Sequence, residues 1–519
     1  MTALPAFMPV VIVGAGPTGV SAATALARYG VDCLVLDRWT DVYPQPRAVH
    51  LDDEVFRLLA GLGVGEQFAA ISRPARGLQL RDPDMRVLAE FRREEALSAN
   101  GYPQANMFDQ PDLERLLRDN LEKHPNAVLR GGNAEVIDVV PISADRARVT
   151  VTDRSTGEQH CVETRYVLGC DGANSLVRKA IGSAMDDLKF QQRWLVADVM
   201  TDADLGQWDG VHQVCDPPGR AATYMRIGPS RYRWEFRLLK EETADDYATL
   251  AALCPLIRPW VDGVAPPEEL DLVRVAEYTF RAQIATRWRR SNMFILGDAA
   301  HLTPPPFIGQ GLGAGLRDAM NLSWKLAGVI NGWLPEAVLG SYEDERKPHA
   351  RNLIRFALAV GAAMTAGGGR VGDALRRIVV PRLHLIPPGV RDKAVDSATP
   401  GLRASGLVMR SPGRRQLAGR LCPNPIVSNG KRFDEIVGRA FAVVSAVPIT
   451  TAQRDEMDRR GAVVIAAQPG TELASWLRAG RAAVGVVRPD RTVLTAGRSV
   501  AKVLDAVPAF APDVQAAHV

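Results

Sequence analysis

Apolar residues recur along this chain in two periods, and the switches between them mark its elements. Residues 10–13 form a continuous, β-branched apolar run, the pattern of a strand buried on both faces. An alanine-rich helical stretch over 20–29 follows, Gly30 can end it, and "DCLVLD" supplies a second strand closed by Asp37. A short apolar strand at 166–168 runs into Gly169, Asp171 and Gly172, then towards a helix carrying Arg178. Another, at 293–296, ends in Gly297 and Asp298. The segment "GDAAHLTPPPFIGQGLGAG", 297–315, precedes a helical pattern at Leu316, Met320, Leu322, Leu326 and Val329. Between 222 and 239 the period is two: Tyr232, Trp234 and Phe236 alternate with Arg231, Arg233, Glu235 and Arg237 around a Gly-Pro-Ser turn. That predicts an antiparallel sheet with one buried face, and 277–289 would return the chain towards the next strand.

The chain has 519 residues, room for roughly two to four domains, and is 46% hydrophobic and 24% charged. Its net charge of +4 gives no electrostatic case for nucleic acid or an anionic membrane. The first residues read as a strand and not a signal peptide, and "FALAVGAAM" is too short to span a bilayer. Cysteines at 33, 161, 170, 215, 254 and 422 form no CxxC or zinc spacing. No metal and no disulfide are expected, and a reducing cytoplasm fits.

Gly14, Gly16 and Gly19 make GxGxxG between a strand and a helix, with an acid, Asp37, closing the next strand. Gly14 permits the tight turn, Gly16 lets a pyrophosphate approach the backbone, and Gly19 lets helix and strand pack closely. The helix N-terminus offers free N–H groups to phosphate, and Asp37 is placed to accept from an adenosine ribose. A dinucleotide is implied, without separating FAD from NAD. The acid at the ribose position weighs against NADP in this site. Asp171 alone reads equally as a helix cap. Three strand ends carrying Gly and Asp together suggest several loops at one sheet edge gripping one long ligand.

In these motifs the chain resembles the single-component FAD-dependent aromatic hydroxylases. The resemblance rests on GxGxxG at 14–19, the DG pair at 171–172 and the GD pair at 297–298, supported by "YPQPRAVHLDDEVFRLL" and "FDQPDLERLL". Within that family it looks most like the 3-(3-hydroxyphenyl)propionate hydroxylase type. The resemblance implies that Gly14, Gly16, Gly19, Asp37 and Arg38 hold the ADP half of FAD, with Arg47 and Gln110 along the pyrophosphate and ribityl chain. It puts Asp171 at a motif serving both FAD and the nicotinamide cofactor, and Asp298 at the ribityl or pyrophosphate region. The prolines at 304–306 would stiffen the loop beside the isoalloxazine, with Pro305 a candidate catalytic residue there. Gly309, Gly311, Leu312, Gly313 and Gly315 would bring bare backbone to the ring. A helix beginning near Leu316 would aim its positive end at flavin N1 and O2.

About 120 residues separate the DG and GD pairs, too many for a simple crossover. In the family such a sheet covers the flavin and forms the substrate pocket. The aromatic stripe reads as core or as pocket, with Tyr224, Arg226 and Trp234 as substrate candidates. The sheet's arginines could pair with a substrate carboxylate or face solvent. His50 is a candidate base for a phenol, or a structural histidine. His301 is expected to order its loop.

The expected fold class is α/β: a Rossmann-like FAD-binding domain (1–72, 109–184 and 291–395) interleaved with an antiparallel-sheet substrate domain (73–108 and 185–290). A linker over 396–415 leads to a thioredoxin-like domain over 416–519 without CxxC, for packing or dimer contact. The expected activity is NAD(P)H- and O2-dependent hydroxylation of a phenol or phenolic acid through a flavin C4a-hydroperoxide. Alternatives are a hydroxylase or Baeyer–Villiger enzyme of a polycyclic natural product, and a reductase that inserts no oxygen.

Overall fold

The computed structural model describes residues 4–42, 48–93, 97–216, 219–304, 311–365, 400–410 and 417–512, with side chains of the helix Ser341–Thr365 described to 359. Its first sheet has the parallel order Met293–Ile295, Gln159–Gly169, Phe7–Val13, Cys33–Leu36, Ala127–Arg130. Val10, Val11 and Ile12 have no exposed surface, as their unbroken apolar pattern requires. Pro17 stands in the first turn of the helix Pro17–Arg28, where its missing N–H costs nothing, and Gly30 follows that helix at φ 74°. The helix Gly311–Ile330 packs across Pro17–Arg28 and is buried along most of its length.

The second sheet has eight strands, in the order His301–Leu302, Asp271–Ala285, Met185–Met200, Arg231–Arg237, Ala222–Arg226, Val211–Val214, Gly77–Arg81, Val87–Arg92. Its central pairs are antiparallel, as the alternation predicts, and Ala222–Arg226 and Arg231–Arg237 form the hairpin around Gly-Pro-Ser. One pair, Val211–Val214 with Gly77–Arg81, is parallel. The Gly77–Arg81 strand arrives from a distant part of the chain, so no tight turn constrains its direction. The helix Leu250–Val261, capped by Thr249, covers the aromatic face, where Trp234, Tyr224 and Trp260 share one closed core.

The C-terminal sheet runs Val463–Ala466, Ala442–Ser445, Val484–Val487, Val493–Gly497. Its first pair is parallel and the other two antiparallel. It is fused to the first core: Phe510 packs edge-on to Tyr29, Trp324, Trp333 and Phe441. Part of the expected linker is also packed. Leu402, Leu407 and Val408 are buried, because apolar residues among its turn residues find partners on both units. Among the described residues no helix is long and apolar enough to cross a membrane.

Candidate functional site

The three Gly/Asp strand ends lie side by side. Val13 is in register with Leu36 and Gly169, and Gly169 with Ile295, so the turns after residues 13, 169 and 295 open at one sheet edge. Gly14 turns there at φ 103°, and its N–H donates to the Leu36 carbonyl at 2.8 Å. A Cβ on Gly14 or Gly19 would overlap backbone carbonyl oxygen, of Cys170 and Gly14 respectively. A Cβ on Gly16 would meet nothing within 4 Å. Gly16 therefore borders open space at the N-terminus of Pro17–Arg28, the cradle that a pyrophosphate needs.

The Asp37 carboxylate accepts from the Ala15 N–H at 2.6 Å and the Trp39 N–H at 2.8 Å. It clamps the glycine turn and keeps lone pairs for a ribose hydroxyl. Arg38 is exposed, 3.8 Å from Glu135. Gln110 accepts from the Ala48 N–H at 2.7 Å and donates to Glu114 at 2.6 Å. It thus ties the helix Gln110–Leu121 to the backbone at Ala48; Arg47 lies outside the described residues. Arg118, one helical face further on, reaches the Ala15 carbonyl at 3.3 Å.

Asp171 accepts from the Leu176 and Val177 N–H groups at 2.6 and 3.1 Å, and from the Ser175 hydroxyl. Burial pushes its carboxyl up, against those hydrogen bonds. Arg178 joins this turn to the next one, donating to the Ala173 carbonyl at 2.8 Å and the Ala299 carbonyl at 3.0 Å. Asp298 is half-buried in the single turn Gly297–Ala299. Behind that turn, Asp318 accepts from the Gly297 N–H at 3.0 Å, His301 Nε2 at 2.7 Å and Arg346 Nε at 2.8 Å. Burial alone would raise Asp318, but His301 and Arg346 hold it below the usual carboxylate range. His301 orders its loop.

The described helix Gly311–Ile330 already includes Gly311, Leu312 and Gly313, ahead of the expected Leu316. A Cβ on Gly313 would meet Val55 and Arg317, and one on Gly315 would meet Thr18 and Gly297. Close helix crossing requires those glycines. Pro305 and Gly309 lie outside the described residues.

On the second sheet, Tyr224 and Trp234 are 2% and 0% exposed, enclosed between the sheet and Leu250–Val261. Both are corrected from substrate contacts to core, because the covering helix closes the aromatic face. Arg226 is corrected too: it donates to its own turn, at the Gly228 and Pro229 carbonyls. The opposite face carries Asp198, Arg231, Arg233, Glu235 and Arg274, all largely buried. It looks onto the first unit, where Met225 packs with Val49, Ala105 and Met107, and Arg231 bonds Asp109. His50 stands beside Val49 on the strand His50–Asp52, and Asp52 is tied to Arg317 at 2.6 Å. Burial pushes His50 down to about 4, against the pull of Asp52, so its imidazole is neutral near pH 7.

The sequence reading missed Arg118, Asp318 and Arg346. Asp318 and Arg317 were detectable as charges on an otherwise apolar helix, and Arg118 as the cation directly after "FDQPDLERLL".

Residues 8–357 match the family described as FAD binding domain. A probable NADH-specific resorcinol 4-hydroxylase of Rhodococcus jostii is 32% identical, over 95% of this chain and 92% of its own length. A 3-(3-hydroxy-phenyl)propionate/3-hydroxycinnamic acid hydroxylase of Burkholderia vietnamiensis is 31% identical, over 98% of both chains. Among solved structures, the flavin-dependent monooxygenase PieE shares the fold at TM-score 0.80 and 21% identity, over 99% of both chains. The anhydrotetracycline hydroxylase OxyS of Streptomyces rimosus matches at TM-score 0.76 and 25% identity, over 98% of this chain and 99% of its own.

Proposed function

The chain belongs to the FAD-binding-domain family of flavin-dependent aromatic hydroxylases, and from that premise we propose that it hydroxylates a phenolic ring with NADH or NADPH and O2. The carrying observation is the adjacency of the three turns, in the register Val13, Gly169, Ile295. Bound FAD would supply reduction by the nicotinamide cofactor and activation of dioxygen. The open space at Gly16 fits its pyrophosphate.

In this reading Gly14, Gly16, Gly19 and Asp37 hold the ADP half. Gln110 shapes the Ala48 segment, and Arg118 adds positive charge beside the glycine turn. Asp171 and Asp298 border the coenzyme from the neighbouring turns. Arg178 fixes the spacing of those turns, and Asp318 the backbone of the Gly297 turn. The N-terminus of Gly311–Ile330 supports negative charge near the ring, an effect of about 1 kcal/mol. Neutral His50 accepts a hydrogen bond from the phenol hydroxyl and orients it.

The parallel–antiparallel order of the C-terminal sheet supports the thioredoxin-like reading of 416–519, as a packing unit without CxxC. The segments 73–108 and 185–290 together supply seven of the eight strands of the substrate sheet, the eighth being His301–Leu302. Free cysteines throughout the described chain support a cytoplasmic setting. The 25% identity with anhydrotetracycline hydroxylase favours, as a second reading, a polycyclic substrate in the same site. Turnover of single-ring phenols under 18O2 is the test. A product heavier by one labelled oxygen, with matched NADH oxidation, is expected; NADH oxidation without labelled product from any phenol overturns the reading.

A further inference from the structure

The polar face of the substrate sheet carries more information than the aromatic face that the sequence draws attention to. Along Arg231–Arg237 the even positions enter the closed aromatic core, and residues 231, 233 and 235 point the other way. That second face meets the coenzyme unit through Met225 on Val49 and Met107, and through Arg231 on Asp109. A phenol held between this sheet and the coenzyme therefore meets the charges of this face.

Those charges are balanced among themselves. Arg233 grips Asp198 with two hydrogen bonds, at 2.6 and 2.9 Å. Arg231 bridges Asp198 at 2.9 Å and Asp109, and Arg274 reaches Asp198 at 3.0 Å. Burial would raise Asp198, but Arg233 and its neighbours hold it down to about 2. Each of these arginines already pairs with an acid, and the buried Nε of Arg231 has no partner among the described residues. With Glu235 ionised, a substrate carboxylate entering here would be a further buried anion beside Asp109, Asp198 and Glu235, against the same three cations.

Glu235 completes the picture. It is 2% exposed, and its Oε2 is buried with no hydrogen-bond partner among the described residues. Thr223, its cross-strand neighbour, donates its hydroxyl to Gln213 at 2.9 Å instead. Burial pushes the Glu235 carboxyl up to about 7, against the pull of Arg233. An enclosed acceptor oxygen without a donor is complementary to an O–H group.

We propose that Glu235 accepts a hydrogen bond from a ring hydroxyl of the substrate, and that this charge-balanced face selects a neutral benzenediol over a phenol carrying a carboxylate. The inference rests on the hydroxylase reading above and specifies its substrate class. Resorcinol and 3-(3-hydroxyphenyl)propionate are the probes, used with the holoenzyme in steady-state turnover and in anaerobic calorimetric titration. The wild type is expected to favour resorcinol by about 10-fold or more in both kcat/KM and Kd, the scale of one hydrogen bond to a charged group. Glu235→Met, which removes both oxygens, should weaken resorcinol binding by a similar factor at unchanged FAD content. Glu235→Gln, which keeps a carbonyl acceptor, should recover most of it. A wild type that prefers the propionate, or a flavin-loaded Glu235→Met that binds resorcinol as the wild type does, overturns the proposal. Should Glu235→Met fail to hold FAD, the wild-type preference and Glu235→Gln decide. Hydroxylation of both probes without discrimination removes this inference alone; no labelled product from any phenol removes the hydroxylase reading with it.

Discussion

His50 shows how much a single side chain's surroundings decide. Asp52 pulls its basicity up and Arg93 pulls it down, yet burial dominates and leaves the imidazole neutral, with Asp52 engaged by Arg317. A group at about 4 does not titrate between pH 6 and 8, so the rate should not follow its ionisation there. His50→Ala should retain FAD and lose turnover by about 100-fold, the lower range of acid–base assistance. Coupled hydroxylation at the wild-type rate would remove that role; stopped-flow turnover with a product assay measures it. The GxGxxG glycines were legible in sequence because each answers to one local demand, such as the φ of 103° at Gly14. Asp318 was not legible as a loop anchor. Its partners Gly297, His301 and Arg346 lie on three elements, and only tertiary folding brings them to one carboxylate.

At the scale of elements, period-two and continuous apolar patterns identified strands well, since each reflects how many faces are buried. They did not say which face of the substrate sheet is covered. Tyr232, Trp234 and Phe236 are a sound apolar stripe, and a helix 14 positions further along, Leu250–Val261, happens to lie on it. The helix Gly311–Ile330 takes in glycines that the sequence assigned to a loop, for a related reason. Glycine-rich sequence argues against helix by propensity, but here close packing against Pro17–Arg28 outweighs it. That argument predicts the effect of Gly315→Ala. The new Cβ would overlap the Thr18 hydroxyl and lie 3.3 Å from Gly297 Cα, pushing apart the two elements that carry the coenzyme turns. Helix propensity would gain slightly, yet overpacking of about 1–3 kcal/mol should prevail. The expected result is a lower melting temperature and less FAD per chain. A variant as stable and as yellow as the wild type would show that these helices have room to separate.

Across the whole molecule, the C-terminal unit is joined to the coenzyme unit by buried charge as well as by apolar packing. Arg488 donates to Glu345 at 2.9 and 3.0 Å and to Asp490 at 3.0 Å, while Lys325 reaches Glu345 at 2.8 Å. Arg488, Lys325 and Glu345 have no exposed side-chain surface. Lys325 belongs to the helix Gly311–Ile330, which packs across Pro17–Arg28, so this network supports that helix from behind. Replacing every member with apolar groups could be neutral, but removing one leaves an unmatched buried charge, costing about 3–5 kcal/mol. Arg488→Met should therefore lower the melting temperature markedly. The pH dependence carries a second signature. Burial would raise Glu345, but Arg488 and Lys325 hold it well below its ordinary value of 4.5. Such a depressed acid stabilises the fold at neutral pH and loses that contribution as the pH falls below about 4.5. Thermal melts from pH 7 to pH 3 should show a shallower acid loss in Arg488→Met than in the wild type. Parallel curves would mean that the network adds nothing to stability, and that the aromatic cluster around Phe510 alone holds the two units together.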